Sequence, residues 1–174
     1  RKAMGLFNKY GLRTKLLNMT GIPGETVEDA IDTLKMNIEL KPTWARCSIV
    51  TPYPPMDLYK MAMEKGWFKE GFGVDDFDYF YLRTSQLDLP QIDERINLQK
   101  FFSLTVKFPF LLPLVRQLIK VKPNKLYEAL GMGFFGLFAA HYDGLNSEEV
   151  RELAGATKQF LTRKGRMTGM PKAY

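Results

Sequence analysis

A single cysteine, Cys47, and a single histidine, His141, are all the soft metal-ligating chemistry in 174 residues. Far apart in sequence, they exclude a structural zinc site and a disulfide framework. A [4Fe–4S] cluster draws several thiolates from its protein, so this segment alone cannot hold one. Sparse cysteine use fits the cytoplasm. The chain also lacks a long apolar run. Residues 129–142 (ALGMGFFGLFAAHY) carry no Asp, Glu, Lys or Arg, but a membrane span needs about 20 apolar residues. Residues 101–121 are longer but are broken by Lys107, Pro109, Pro113, Arg116 and Lys120. Acidic residues are missing from two stretches. Lys100 to Lys125 holds six basic residues and no acidic one, and Lys158 to the end holds five and none. Much of the net charge of +6 lies there. Basic residues among aromatics suit either a solvated helical face or an anionic surface, a membrane before a nucleic acid. No nucleic acid is expected. The chain opens at Arg1 with no signal-peptide pattern, and it reads as a segment whose N-terminal part is missing.

What is present begins as alternating helix and strand. Residues 1–10 read as a helix closed by Gly11. Leu12 to Met19 (LRTKLLNM) reads as a strand that starts in alternation and ends in an apolar run. Thr26 and Asp29 form a predicted capping box. The helix behind it carries Val27, Ala30, Ile31, Leu34 and Ile38 on one face and stops at Lys41-Pro42. Trp44 to Thr51 (WARCSIVT) is a second strand, ended by Pro52, and Asp57 to Lys65 a further helix with Gly66 behind it. The spacing predicts parallel strands joined by a right-handed crossover, with one edge left unpaired unless something covers it. Residues 69–81 (KEGFGVDDFDYFY) form an aromatic, acidic connector. Beyond Leu89 only helices are predicted: Gln91 to Lys107, Phe110 to Lys120, Asn124 to Tyr142 and Ser147 to Arg163, then a loose basic tail from Lys164 to Tyr174.

Two corners follow the predicted strands. Thr20-Gly21-Ile22-Pro23-Gly24-Glu25-Thr26 closes the first, and Thr51-Pro52-Tyr53-Pro54-Pro55-Met56 the second. Corners of this kind at the C-terminal ends of adjacent parallel strands are where β/α barrels do their chemistry. The first is neither a Walker A loop, lacking Gly-Lys-Ser/Thr, nor a dinucleotide fingerprint. Gly21 and Gly24 permit close backbone approach, Pro23 stiffens the turn, and the next helix aims its N-terminal amides at the mouth. An ordinary tight turn is the plain alternative. Cys47 reads as a buried inert thiol, and His141 as a helix-end residue rather than a catalytic one. Asp75, Asp76 and Asp78 lack the EF-hand glycine and glutamate and read as a solvated turn. Tyr79-Phe80-Tyr81 reads as packing.

Taken together, a strand, Gly-Ile-Pro-Gly-Glu-Thr, an acidic helix start, a strand ending Thr-Pro-Tyr-Pro, and Leu58-Tyr59 before a closing Gly66 resemble the fifth and sixth β/α units of radical S-adenosylmethionine (SAM) enzymes with an upstream cobalamin-binding domain. The resemblance covers about residues 1 to 70. It implies the C-terminal portion of a TIM-like partial (β/α)6 barrel in residues 1–75, followed by a helical extension in 76–174. It further implies that Asn18, Thr20, Gly21, Ile22, Gly24, Ile49 and Thr51 line the SAM pocket, contacting adenine and ribose through backbone and apolar surface. Tyr53 would sit at the mouth, facing substrate. In such enzymes a cluster cleaves SAM to a 5′-deoxyadenosyl radical that abstracts a substrate hydrogen; cobalamin-bearing members then transfer methyl. The Cys-x3-Cys-x2-Cys loop, the first four strands and any cobalamin domain would precede Arg1. Pro55-Met56 departs from the family's usual Gly-Thr. No residue here is expected to be catalytic. The implied partners are the missing half-barrel and a small-molecule or lipid-like substrate, with the helical region docking on an anionic membrane. Two other readings remain: a non-catalytic binding or membrane-associated adaptor, and a phosphate-binding β/α barrel. The second Gly-rich strand end that such a barrel usually adds is absent.

Overall fold

The computed structural model describes residues 1–70 and 85–142, with isolated positions beyond. Eight regular elements and one 3-10 turn follow in order: α1 Lys2–Lys9, β1 Lys15–Thr20, α2 Val27–Leu40, β2 Trp44–Ile49, α3 Asp57–Glu64, α4 Ile92–Lys107, the turn Pro109–Leu111 leading into α5 Leu112–Leu118, and α6 Lys125–Tyr142. The chain is α/β, mostly helical, with a small two-stranded parallel sheet among the described residues. The helix expected at Ser147 to Arg163, the basic tail, Asp75, Asp76, Asp78 and the Tyr79–Tyr81 run lie outside the described residues.

The sheet pairs β1 with β2 in parallel, from Lys15 beside Trp44 to Thr20 beside Ile49. β1 starts three residues later than the alternation suggested. Thr14 and Thr43 tie the two strand starts first: the Thr14 amide donates to Thr43 Oγ1 at 2.9 Å, and the Thr43 amide donates to Thr14 Oγ1 at 3.3 Å. Helix α2 begins as expected. Thr26 Oγ1 accepts from the Asp29 amide at 3.2 Å, and the Asp29 carboxylate accepts from the Thr26 amide at 2.8 Å. Hydrogen bonds from the Thr26 hydroxyl and then its backbone hold the Asp29 carboxyl below its usual value. The helix ends with Lys41 in the left-handed region (φ 49°), just before Pro42.

Helix α4 covers the far edge of β2. The amides of Trp44 and Val50 donate to Thr14 and Thr20 carbonyls, so the even residues of β2 turn toward β1 and the odd carbonyls face the other edge. Gln99 Nε2 donates to the Cys47 carbonyl at 3.3 Å, and Ser103 Oγ to the Ala45 carbonyl at 2.6 Å. One helical turn separates these two side chains, so a single face of α4 satisfies the edge a strand would otherwise pair. On β1, Leu16, Asn18 and Thr20 are covered while Leu17 and Met19 stand 73% and 51% exposed.

Two apolar clusters hold the fold. The larger joins Val27, Ala30, Ile31 and Leu34 of α2 and Ala45 and Cys47 of β2 to Leu98, Phe101 and Phe102 of α4, Val115 of α5 and Tyr127 of α6. The smaller joins Ile49, Val50 and Ala62 to Leu87, Leu89, Ile92 and Ile96. Residues on both sides of position 75 therefore share both clusters among the described residues. Between Lys100 and Tyr142 the aromatic and basic residues divide between core and surface. Phe101 and Phe102 are core, Lys100 is buried, and Phe134, Phe135 and Phe138 are half-buried. No helix among the described residues is long and apolar enough to cross a membrane.

Helix α6 docks on α4 through a glycine. A Cβ on Gly131 would lie 2.9 Å from Lys100 Cβ and 3.1 Å from its Cγ. The stem atoms next to a helix backbone cannot swing aside. Gly131→Ala is therefore expected to destabilise the chain by about 1–3 kcal/mol. Helix α6 also lays Phe135 and Tyr142 against Trp44, with ring centroids at 5.9 and 6.4 Å. Tryptophan emission in a Trp67→Phe background should report the displacement at Trp44. Unchanged emission and stability would show that the two helices do not meet at this point.

Candidate functional site

The C-terminal ends of β1 and β2 form the candidate site, and its first corner is closed by its own side chains. Gly21 is buried with φ 83°, and a Cβ there would meet Ile92 Cδ1 at 3.3 Å and Ile49 Cγ2 at 3.5 Å. Only glycine fits both the dihedral and the gap. The Glu25 carboxylate folds back over the turn, accepting from the Gly21 amide at 2.6 Å and from Thr20 Oγ1 at 2.9 Å. Arg95, reaching in from α4 and 1% exposed, locks the arrangement. Its Nη1 donates to the Glu25 carbonyl at 2.7 Å and the Ile22 carbonyl at 3.3 Å, and its Nη2 to the Pro90 carbonyl at 2.8 Å. Nη1 lies 3.5 Å from the Glu25 carboxylate. The carbonyl bonds are the shorter ones, so the guanidinium acts mainly as a donor fork and secondly as a counter-charge.

The second corner is looser. Pro52 is buried, Thr51 and Tyr53 are half-buried, and the Pro54–Pro55 bond is cis. The Met56 amide donates to the Tyr53 carbonyl at 3.0 Å, turning the chain into α3 without a side-chain cap.

The structure brings Thr20, Gly21 and Ile49 into one packed layer. Ile22, 44% exposed, and Gly24, with φ 87° and nothing within 4 Å of a Cβ, form the open rim. Thr51 and Tyr53, both half-buried, lie in the chain that follows β2. Asn18 is set apart. It bonds Asn37 of α2 reciprocally at 3.1 and 2.8 Å and donates to the Arg46 carbonyl at 3.1 Å, so its amide is spent between strand and helix rather than at the mouth. Sequence reasoning missed two members, Glu25 as a lid on the turn and Arg95 as its lock. The one available signal for Arg95 was its helical spacing, about one turn past Ile92 and beside Ile96.

The rim offers backbone groups and apolar surface, and the Thr20 hydroxyl and Glu25 carboxylate beside it are hydrogen-bonded to each other within the turn. Burial, followed by the Glu25 charge, pushes the Cys47 thiol well up, so it is neither a thiolate ligand nor a nucleophile. A cluster does not fit the residues present. No group of three His, Cys, Asp or Glu that could hold a metal occurs among the described residues. His141 is exposed and packs edge-on against Tyr142 at 4.6 Å. Cavities occur elsewhere. One of about 30 Å³ between β2, α4 and α6 has room for about one or two waters. Two adjoining ones of about 390 and 270 Å³ share Thr43 and Trp44 at the opposite end of the sheet.

Comparison with protein-family models, with curated proteins and with solved structures finds no match to this chain.

Proposed function

We propose that this chain supplies the last two β/α units of a radical SAM barrel and forms part of the wall around the adenosine half of SAM. The observation that carries the reading is the pair of strand-to-helix corners on adjacent parallel strands, one of them clamped shut by Glu25 and Arg95. The clamp engages Glu25 and Arg95 and leaves Ile22 and the Gly24 turn exposed at the rim. That rim suits the chemistry of an adenosine, which stacks on apolar surface and bonds to backbone groups. Among the described residues no strand lies beyond β1, and Leu17 and Met19 stand exposed on it, which suits a preceding barrel strand. A cluster with SAM, held by residues upstream, would supply the radical chemistry. This chain's residues bind, orient and keep water out.

The first test is the coding DNA before Arg1. A Cys-x3-Cys-x2-Cys loop there supports the reading, and a start codon directly before Arg1 overturns it. The second is Gly24→Val in the full polypeptide, followed by SAM titration calorimetry. At Gly24 a side chain meets open space but a left-handed backbone, so only the turn is perturbed. The strain of about 1–2 kcal/mol should weaken SAM binding about tenfold. Unchanged affinity alongside lowered stability would make the corner a structural turn only.

A further inference from the structure

We propose that the elbow over residues 107–122 is a membrane-docking surface that seats Phe110 and Leu114 in the interface of an anionic bilayer. The inference is independent of the barrel reading. It starts from the segment Pro109 to Lys120 (PFLLPLVRQLIK), whose apolar residues occupy every side of the helix. One side is accounted for. Val115 and Ile119 are buried, and Leu111, Leu112 and Leu118 pack against the larger core. The opposite side of a surface helix is ordinarily polar. Here it carries Phe110 at 76% exposure, Leu114 at 54% and Val121 at 48%, with Phe108 at 43% touching Phe110 at a centroid distance of 6.1 Å. Phe110 sits on the 3-10 turn, Leu114 on α5 and Val121 just past its end, so the exposed apolar side chains form a stripe along the elbow.

The charges choose the partner. Lys107, Lys120 and Lys122 stand exposed at the two ends of that stripe. No acidic residue occurs between Lys100 and Lys125. Arg116 is drawn off the stripe by Glu28, at 2.7 Å, and is not counted. An apolar ridge whose own segment carries cations and no carboxylate complements a lipid surface that is apolar below and anionic above. A protein partner or a second copy of this chain would have to bring its own acidic ring, and the exposed stripe has none to offer in return.

Flotation of the full chain with phosphatidylcholine vesicles, with and without phosphatidylserine, tests the proposal. Binding is expected to the phosphatidylserine vesicles at low salt and to fall at high salt, since exposed charges are screened. K120E/K122E should lower the partition coefficient at least about tenfold. F110S/L114S should lower it by a similar factor on anionic vesicles while leaving the circular dichroism unchanged, because both side chains are exposed. No binding to anionic vesicles at low salt overturns the proposal. So does binding that ignores lipid charge, or that either double variant leaves intact. If F110S/L114S instead abolishes self-association seen by sedimentation, without vesicle binding, the stripe is a contact between copies and the membrane assignment fails.

Discussion

Replacing Arg95 with alanine is expected to lower the unfolding free energy by about 3–5 kcal/mol, the loss seen when one partner of a buried ionic network is removed. The guanidinium is 1% exposed and its main partner Glu25 12%, so little solvent is at hand to replace it. Without it the carbonyls of Glu25 and Pro90 lose the Arg95 donor, and the Ile22 carbonyl keeps only the Glu25 amide. The Glu25 carboxylate stays buried over the turn with only Gly21 and Thr20 to answer it. Glu25→Gln should cost less, about 1–2 kcal/mol, because an amide oxygen can still accept from the Gly21 amide. Urea denaturation followed by circular dichroism measures both. If Arg95→Ala costs under about 1 kcal/mol, the corner is held by Gly21 packing against Ile92 alone and the clamp is incidental.

Local chemistry made much of this architecture readable. Thr26 and Asp29 announce a helix start because their side chains satisfy the first amides within four residues. Lys41-Pro42 and Gly11 announce stops because each imposes its own dihedrals. The parallel pairing of β1 and β2 follows from a helix-length crossover between two apolar runs. What could not be read depends on residues distant in sequence. Arg95 meets Glu25 across a separation of 70 positions, and no local pattern states that distance. Asn18 was assigned to the mouth because it ends a strand. Its parity places it with Leu16 and Thr20, and Asn37 at the mid-face of α2 claims it. Helix α4 held the larger surprise. Its run Arg95 to Phe102 is buried without interruption, polar residues included, because α2, β2 and α6 all pack on it. A helix with no single apolar stripe can be a buried one. Gln99 spends its amide on the Cys47 carbonyl, and Lys100 is buried where Gly131 of α6 packs on its stem.

That burial leads to the second large effect. Phe102→Ala is expected to destabilise the whole chain by about 3–5 kcal/mol, not merely its helical half. Phe102 is 1% exposed and belongs to the cluster that also holds Ile31 and Leu34 of α2 and Ala45 of β2. Its removal leaves a cavity against α2 and loosens the helix whose Gln99 and Ser103 satisfy the β2 edge. The same argument says that a chain ending at residue 75 will not fold alone. It would keep the β1–α2–β2 unit but lose roughly half of the larger cluster and both edge donors, leaving two strands with two open edges. With half of that core gone and both sheet edges open, the remaining unit is not expected to hold. Amide exchange in Phe102→Ala measures this directly. Protection should fall together in β1, α2 and β2 and in α4, as one cooperative unit. If α4 loses protection while β1 and β2 keep theirs, the first two β/α units carry their own core and the helices are an appendage after all.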